Sequence, residues 1–372
     1  MINSLKIKNY RNLNDLNIKS IGRINLITGK NNTGKSTLLE AIMLLVSKGE
    51  MKLILQILSE RGEHFRFDES LKSTEQSIRT LSSMFSDRKI SFNEVDKISI
   101  SSDSIFEPDE ASENDNLIAV NFVRYVDDED DNTVRRRVIT DIDDENTNIK
   151  IGFQVKSDKQ TRIYPLNDGI DRFVNRVGFK TNDFSDLIKY VKTKNIDKDT
   201  NSKLWDSIVL TEKEKYVISG LKIIEDKTDG ITFKEVYQNE RTPYIKLSDS
   251  GLVLPLLSMG DGINRILTMI LSLVNSENGY FLVDEFENGL HFSVQEKLWE
   301  IIFDLSERLN IQVFITTHSE DTIRAFETII NNPNNKLEGK LIRLENKNGI
   351  IKEIIFDADE LNIATRNNIE IR

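Results

Sequence analysis

The sequence contains no cysteine and only three histidines, His64, His291 and His318. Disulfide frameworks, thiolate zinc sites and thiol catalysis are thereby excluded, and a histidine-rich metal centre has too few ligands. Positive charge is also scarce, with 50 Lys+Arg against 61 Asp+Glu for a net charge of −11. A polycation that coats nucleic acid is ruled out, although net charge leaves a local basic patch open. Long apolar runs are missing. The longest, residues 266–274, is broken by Thr268 and Ser272, and it falls far short of the roughly 18 residues that a membrane span needs. The first ten residues hold no uninterrupted apolar core of the kind a secretion signal carries. The expectation is a cytoplasmic protein that does not enter a membrane. There is no Pro/Gly/Ser-rich linker, no internal repeat and no sustained heptad run. What is present is 372 residues, 38% hydrophobic and 30% charged, enough for two domains or one large domain with insertions.

Apolar clustering in residues 4–9 and 16–28 predicts strands, the last ending in Ile24-Asn25-Leu26-Ile27-Thr28. Residues 51–87 read as helical. Short β-type runs follow between 89 and 165, and the acidic stretch Asp127-Asp128-Glu129-Asp130-Asp131-Asn132 reads as a solvated hairpin loop between two of them, with a metal site as the lesser alternative. Residues 166–227 read as helical and charged, with Lys189, Lys192, Lys194 and Lys198 on a solvated face or, as the lesser alternative, in contact with a phosphate backbone. From 260 to 330 helices and strands alternate, which implies a parallel sheet covered by helices. These readings give an α/β protein in three segments. Residues 1–165 form an N-terminal lobe with an antiparallel β subdomain, 166–229 a helical insertion, and 230–372 a C-terminal lobe.

Between the strand at 24–28 and a helix carrying Leu38, Leu39, Ala41, Ile42 and Leu45 lies Gly29-Lys30-Asn31-Asn32-Thr33-Gly34-Lys35-Ser36-Thr37. This fits the P-loop pattern, in which glycines turn backbone N–H groups toward phosphates and the helix start adds partial positive charge. Gly29, Asn31, Asn32, Thr33, Gly34, Lys35, Ser36 and Thr37 are the candidate nucleotide-binding residues. In this pattern Lys35 reaches the β- and γ-phosphates, and Ser36 holds Mg²⁺. Four fixed positions match by accident in roughly one or two chains per hundred of this length. The strand before and the helix after lower that figure further.

Three other stretches carry chemistry beside it. Tyr280-Phe281-Leu282-Val283-Asp284-Glu285 is a buried-strand run ending in two carboxylates. Beside a P-loop, Asp284 suits the metal and Glu285 the attacking water; as a plain strand end, both are ordinary turn residues. Gln312-Val313-Phe314-Ile315-Thr316-Thr317-His318-Ser319 ends in hydroxyls and a histidine, with Ser319 also suited to capping a helix. Ser258-Met259-Gly260-Asp261-Gly262 is a glycine turn feeding a helix, and it offers an alternative anion site through Ser258 and Gly260.

Taken in order, the P-loop, Ser-Met-Gly-Asp-Gly, Val-Asp-Glu, Glu287-Asn288-Gly289-Leu290-His291 and Thr-Thr-His-Ser resemble the motif set of ABC-type ATPases. More narrowly they resemble the OLD-like group, related to SMC and RecF heads. The opening Ile7-Lys8-Asn9-Tyr10-Arg11-Asn12-Leu13 is similar to that family's first strand and turn. The resemblance implies Walker A residues Lys35 and Ser36, and Walker B residues Asp284 and Glu285. It also implies a D-loop at 287–291, a switch histidine His318, and signature contacts Ser258 and Gly260 made to a second copy. The signature departs from Ser-Gly-Gly-Gln, and Gln154 is the nearest candidate for a Q-loop glutamine. Asp357-Ala358-Asp359 reads as a helix cap, and the 40-odd residues after the last switch helix leave little room for the Toprim nuclease of many relatives.

The resemblance implies an ATP- and Mg²⁺-dependent ATPase that closes as a homodimer, or a higher oligomer, around ATP. It would gate a separate nuclease or effector in anti-phage defence or DNA processing, with DNA as a further partner. Two rivals are a transporter nucleotide-binding domain and a DNA-structural SMC-like head. The long stretch between the P-loop and the signature disfavours the first, and the missing heptad arms disfavour the second.

Overall fold

Ile24–Thr28 (β3) is buried along its whole length, as a strand with helices over both faces must be. In the computed structural model it lies between two parallel neighbours, Gln312–Thr316 (β14) and Gly339–Lys347 (β15). Tyr280–Val283 (β13) pairs with β14, Ile188–Val191 (β9) pairs with β13, and Ile350–Phe356 (β16) flanks β15. The order is β16-β15-β3-β14-β13-β9, and the five strands from β15 to β9 run parallel. The structure describes residues 1–63, 73–102, 116–130, 133–139, 148–158, 160–166, 187–193, 198–237, 240–367 and 369–371. His64 and Lys194 lie outside them, as does the side chain of Lys198.

The chain divides into two compact units, and the boundary falls inside the helix Lys35–Val46 (α1). One unit comprises Met1–Ile21, Glu40–Asp183 and Asn346–Glu353. Its antiparallel sheet has the order β2-β1-β4-β5-β7-β8, with β6 also paired to β5. The strands are Leu5–Tyr10 (β1), Leu13–Ile18 (β2), Ile98–Ser102 (β4), Asn116–Asp130 (β5), Thr133–Ile139 (β6), Lys150–Ser157 (β7) and Gln160–Pro165 (β8). Helices Met51–Glu60 (α2) and Ser73–Ser82 (α3) belong to the same unit. Phe122 stacks on Phe85 at 5.2 Å and meets Phe153 edge-on at 5.6 Å, which centres its core.

The acidic stretch departs from the expected loop. Asp127 and Asp128 lie within β5, opposite Arg136 and Arg135 of β6. Asp127 accepts from Lys150 at 2.7 Å and Asp128 from Arg137 at 3.1 Å. Opposite charges facing across a ladder support strand pairing, so the two charge runs of the sequence answer each other.

The other unit comprises Gly22–Leu39, Phe184–Glu345 and Ile354–Arg372. It holds the parallel sheet and the helices Lys198–Asp206 (α4), Glu214–Leu221 (α5), Asp261–Val274 (α6), Phe292–Arg308 (α7), Glu320–Ile330 (α8) and Ala358–Arg366 (α9). A small sheet of Thr228–Tyr237 (β10), Glu240–Leu247 (β11) and Val253–Pro255 (β12) completes it. Trp299 of α7 is fully buried, stacks on Phe286 at 4.8 Å and meets Phe326 of α8 at 4.9 Å. Asp357 caps α9 in a capping box with Glu360, the role expected for it. The segment expected to be a helical insertion also supplies β9. Ile188 and Val191 are buried there, and Lys189 and Tyr190 are half-buried.

One buried charge cluster anchors the first unit. Glu40 accepts from Arg61 Nε at 2.6 Å and from the Tyr10 hydroxyl at 3.1 Å, and it pairs with Arg11 Nε at 3.2 Å. Arg11 also reaches Glu63 at 3.0 Å. Burial pushes the Glu40 carboxyl upward, and Arg61 and Arg11 oppose that shift. Removing one member of such a cluster leaves the rest as uncompensated buried charge. Glu40→Ala is expected to lose about 3 kcal/mol or more, read as an earlier urea unfolding midpoint. A midpoint equal to wild type would show that the cluster does not hold the unit together.

Candidate active site

The P-loop leaves β3 at Gly29, whose φ of +141° belongs to the region glycine favours. A Cβ there would sit 2.4 Å from the Leu344 carbonyl oxygen and 2.7 Å from Thr33 Oγ1. Gly34 has φ +89° and Asn32 φ +62°, so the loop turns on left-handed residues before α1 starts. Asn31 and Asn32 are exposed at its crest, whereas Thr33, Gly34, Lys35 and Thr37 are buried. The first turn of α1 carries no acidic residue, so the positive end of its dipole is uncompensated by carboxylates of its own.

Lys35 is 7% exposed. Its Nζ donates to the carbonyls of Gly29 at 2.7 Å and Lys30 at 3.0 Å. Burial lowers its pKa to about 8, against the pull of Asp284, Glu285 and Glu287. A cation held by carbonyls at a helix start is suited to exchanging them for phosphate oxygens.

Asp284 follows directly on β13, and its carboxylate gathers hydroxyls from separate stretches. Ser36 Oγ donates to Oδ2 at 2.9 Å, and Thr316 Oγ1, at the end of β14, donates to Oδ1 at 2.6 Å. Thr193 Oγ1 lies 3.3 Å from Oδ2. Glu285 adopts φ +51°, an uncommon left-handed conformation for a residue of its kind. Its N–H donates to Thr316 Oγ1 at 2.8 Å, and the next N–H, of Phe286, donates to the Thr316 carbonyl at 3.0 Å. His318 Nε2 stands 3.7 Å from Glu285 Oε1. Glu287 accepts from Thr317 Oγ1 and from the His318 N–H, each at 2.7 Å. The loop after β13 and the loop after β14 are thus bonded to each other, and Glu285 and His318 face across the gap.

Arg265, on α6, is buried to 6% exposure. It donates to the carbonyls of Lys192 at 2.5 Å, Asp284 at 2.9 Å and Glu285 at 3.0 Å. Arg265, Thr193 and Thr316 carry no role in the sequence reading. A lone charge in the apolar pattern of 263–274 was the available signal for Arg265. Thr316 was visible as a hydroxyl ending a buried strand, and nothing in the local sequence marks Thr193.

The structure brings Lys35, Ser36, Asp284, Glu285 and His318 together, and it leaves Ser258 and Gly260 apart from them. Ser258 is exposed and donates to the Pro255 carbonyl at 2.7 Å. Gly260 has φ +103° with nothing near the Cβ position, just ahead of α6. Gln154 lies inside β7, paired with Asn121 and Ile163 on its two sides. It is a strand residue of the antiparallel sheet, and no loop carries it.

A Mg²⁺ ion suits this donor set. It takes hard oxygen ligands and needs one or two protein groups beside the phosphates, and a serine hydroxyl and a carboxylate already stand together here. Among the described residues no group of three or more His, Cys, Asp or Glu could hold a metal ion. No helix among the described residues is long and apolar enough to cross a membrane.

A Helicobacter pylori relative named ATP/GTP phosphatase is 25% identical over 356 residues, covering 89% of this chain and 88% of that one. The fold is similar to that of an Smc head solved bound to the C-winged helix domain of ScpA. The TM-score is 0.50 at 12% identity, over 98% of this chain and 99% of that chain, a likeness that speaks for fold alone. The fold is that of a P-loop, ABC-type ATPase. A family model matches residues 24–324, from β3 through the P-loop to α8, and the chain belongs to that family, described as "AAA domain, putative AbiEii toxin, Type IV TA system".

Proposed function

We propose that the chain hydrolyses ATP with Mg²⁺, closes as a homodimer around the nucleotide and gates a separate effector. The observation that carries this reading is the Ser36 hydroxyl on the Asp284 carboxylate at 2.9 Å. That bond joins a phosphate-binding loop to the end of the strand best placed for a metal. Ser36 and Asp284 would hold Mg²⁺, which when bound neutralises charge on the β- and γ-phosphates. Lys35 supplies a fixed positive charge at the same phosphates. The N–H groups of residues 31–37 cradle them, so that positioning and electrostatics do most of the work. Glu285 orients the attacking water and draws on its proton, and His318, 3.7 Å away, faces the same space.

The exposed Ser258 and the open Gly260 support a site completed by a second copy, because neither is committed to the chain's own P-loop. Leu257 and Phe292 flank that turn and the D-loop while 51% and 63% exposed, an apolar fringe suited to burial between copies. The order of motifs supports the OLD-like branch. The toxin named in the family's description supports a defence role, in the cytoplasm, with a nuclease or other effector as the gated partner. DNA contact through Arg135, Arg136 and Arg137 is weakened by Asp127 and Asp128, which engage Arg136 and Arg137.

Three outcomes are expected. Lys35→Ala should abolish Mg²⁺-dependent release of phosphate from ATP, and hydrolysis at the wild-type rate would sink the assignment. Glu285→Gln should bind ATP normally, turn over very slowly and sediment as a stable dimer with ATP and Mg²⁺; a persistent monomer at micromolar concentration counts against the composite site. The third concerns pH. The Lys35 ammonium, with a pKa of about 8, is mostly charged at pH 7 and mostly neutral at pH 9. Phosphate favours the charged form, so binding at the higher pH must also take up a proton. ATP affinity should fall about tenfold between pH 7 and pH 9, with proton uptake visible by calorimetry in buffers of different ionisation heat. Lys35→Arg should flatten that dependence.

A further inference from the structure

Two of the hydroxyls on Asp284 come from recognisable motifs, Ser36 from the P-loop and Thr316 from the stretch ahead of His318. The third comes from a segment that carries no motif. Strand β9 is the parallel neighbour of β13 on the side away from β3. Its register, Val283 opposite Val191, brings the chain out of β9 level with Asp284. The exit is then fixed at three successive carbonyls. Val191 accepts from the Asp284 N–H at 2.9 Å, Lys192 from Arg265 at 2.5 Å, and Thr193 from the Asn288 side-chain amide at 2.9 Å. A backbone held this tightly leaves Thr193 Oγ1 at 3.3 Å from Asp284 Oδ2, the oxygen that Ser36 also meets.

We propose that Thr193 is a positioning residue for the metal site, orienting the Asp284 carboxylate from the end of β9. The proposal rests on the ATPase reading above and adds to it a residue outside every motif. Its physical basis is the fate of the three hydroxyls. When Ser36 turns its oxygen toward a cation, its bond to Asp284 is given up. Thr316 and Thr193 then remain, one on each carboxylate oxygen, to keep the group from rotating. Partners of a liganding carboxylate commonly control metal affinity about as strongly as they control geometry. Arg265 and Asn288 act one step further out, by holding the backbone that presents Thr193.

The test uses the full chain with two substitutions. Thr193→Val keeps shape and β-branching but removes the hydroxyl, and Thr193→Ser restores it. Binding of Mn²⁺ in the presence of a non-hydrolysable ATP analogue is followed by electron paramagnetic resonance. The Mg²⁺ concentration for half-maximal hydrolysis is measured in parallel. Thr193→Val should weaken Mn²⁺ binding about tenfold and raise the Mg²⁺ requirement in step. Its binding of the analogue in EDTA should stay within twofold of wild type, and Thr193→Ser should recover most of the metal affinity. A purely structural role for Thr193 would move the metal-free binding as well, and that result overturns the proposal. So does a Thr193→Val protein with wild-type Mn²⁺ affinity, which leaves the ATPase reading standing. A wild-type chain that binds no nucleotide with or without metal overturns both.

Discussion

Strand direction is the constraint on which the site depends. Because β3, β14, β13 and β9 run parallel, their carboxyl ends meet at one edge of the sheet, where open α/β sheets place ligands. Residues far apart in sequence converge there without any one stretch having to be long or special. Gly29 follows β3, Asp284 follows β13, Thr316 ends β14, and Lys192 follows β9. Each loop then bonds to its neighbour. Ser36 meets Asp284, Thr316 meets both Asp284 and the Glu285 N–H, and Glu287 meets Thr317 and His318. A displaced strand would break several of these bonds together, so the register of the sheet sets the geometry of the chemistry.

Buried charge is handled in two ways. In the antiparallel unit, Glu40, Glu63, Arg11 and Arg61 oppose one another as carboxylate and guanidinium. At the active site the cations are held by main-chain carbonyls. Lys35 rests on Gly29 and Lys30, and Arg265 on Lys192, Asp284 and Glu285. Carbonyls satisfy donors without cancelling charge. Burial lowers the pKa of both groups, and their positive charge remains available to carboxylates and to a substrate. Such an arrangement leaves a local positive potential at the carboxyl ends of the strands that the first does not.

The parts legible in the sequence were those whose place in the fold follows from local pattern. A phosphate loop needs glycines at fixed spacing and a helix immediately after, so residues 29–37 could be read without a structure. Buried strands ending in carboxylates or hydroxyls announced Asp284, Glu285 and His318, and the alternation after 260 announced the parallel sheet. The illegible parts were those decided by pairing at a distance. Strand β9 is four residues long with a lysine in it, set in a lysine-rich context that reads as helical. Only its pairing with β13 makes it a strand. Asp127 and Asp128 read as a loop because acidic runs usually are loops, and only the arginines opposite them make a ladder there favourable. Gln154 has the side chain of a loop ligand, but its two strand neighbours decide its place.

The turn at residues 258–262 is bonded differently from the loops after β13 and β14. Asp284, Glu285 and His318 are bound into a network that leaves them little freedom. Ser258 is committed only to the nearby Pro255 carbonyl, and Gly260 holds a backbone conformation, φ +103°, that an ordinary residue would adopt only under strain. Holding a glycine in that conformation on an exposed turn brings no packing within the chain, since nothing lies near its Cβ position. Gly260 joins two helical turns, closing the one before it with its N–H on the Leu257 carbonyl at 3.4 Å and standing at the N-cap of α6. The helix that starts at the signature turn also carries Arg265 to the Asp284–Glu285 carbonyls. One rigid element would then link what happens at the turn to the placement of the two carboxylates.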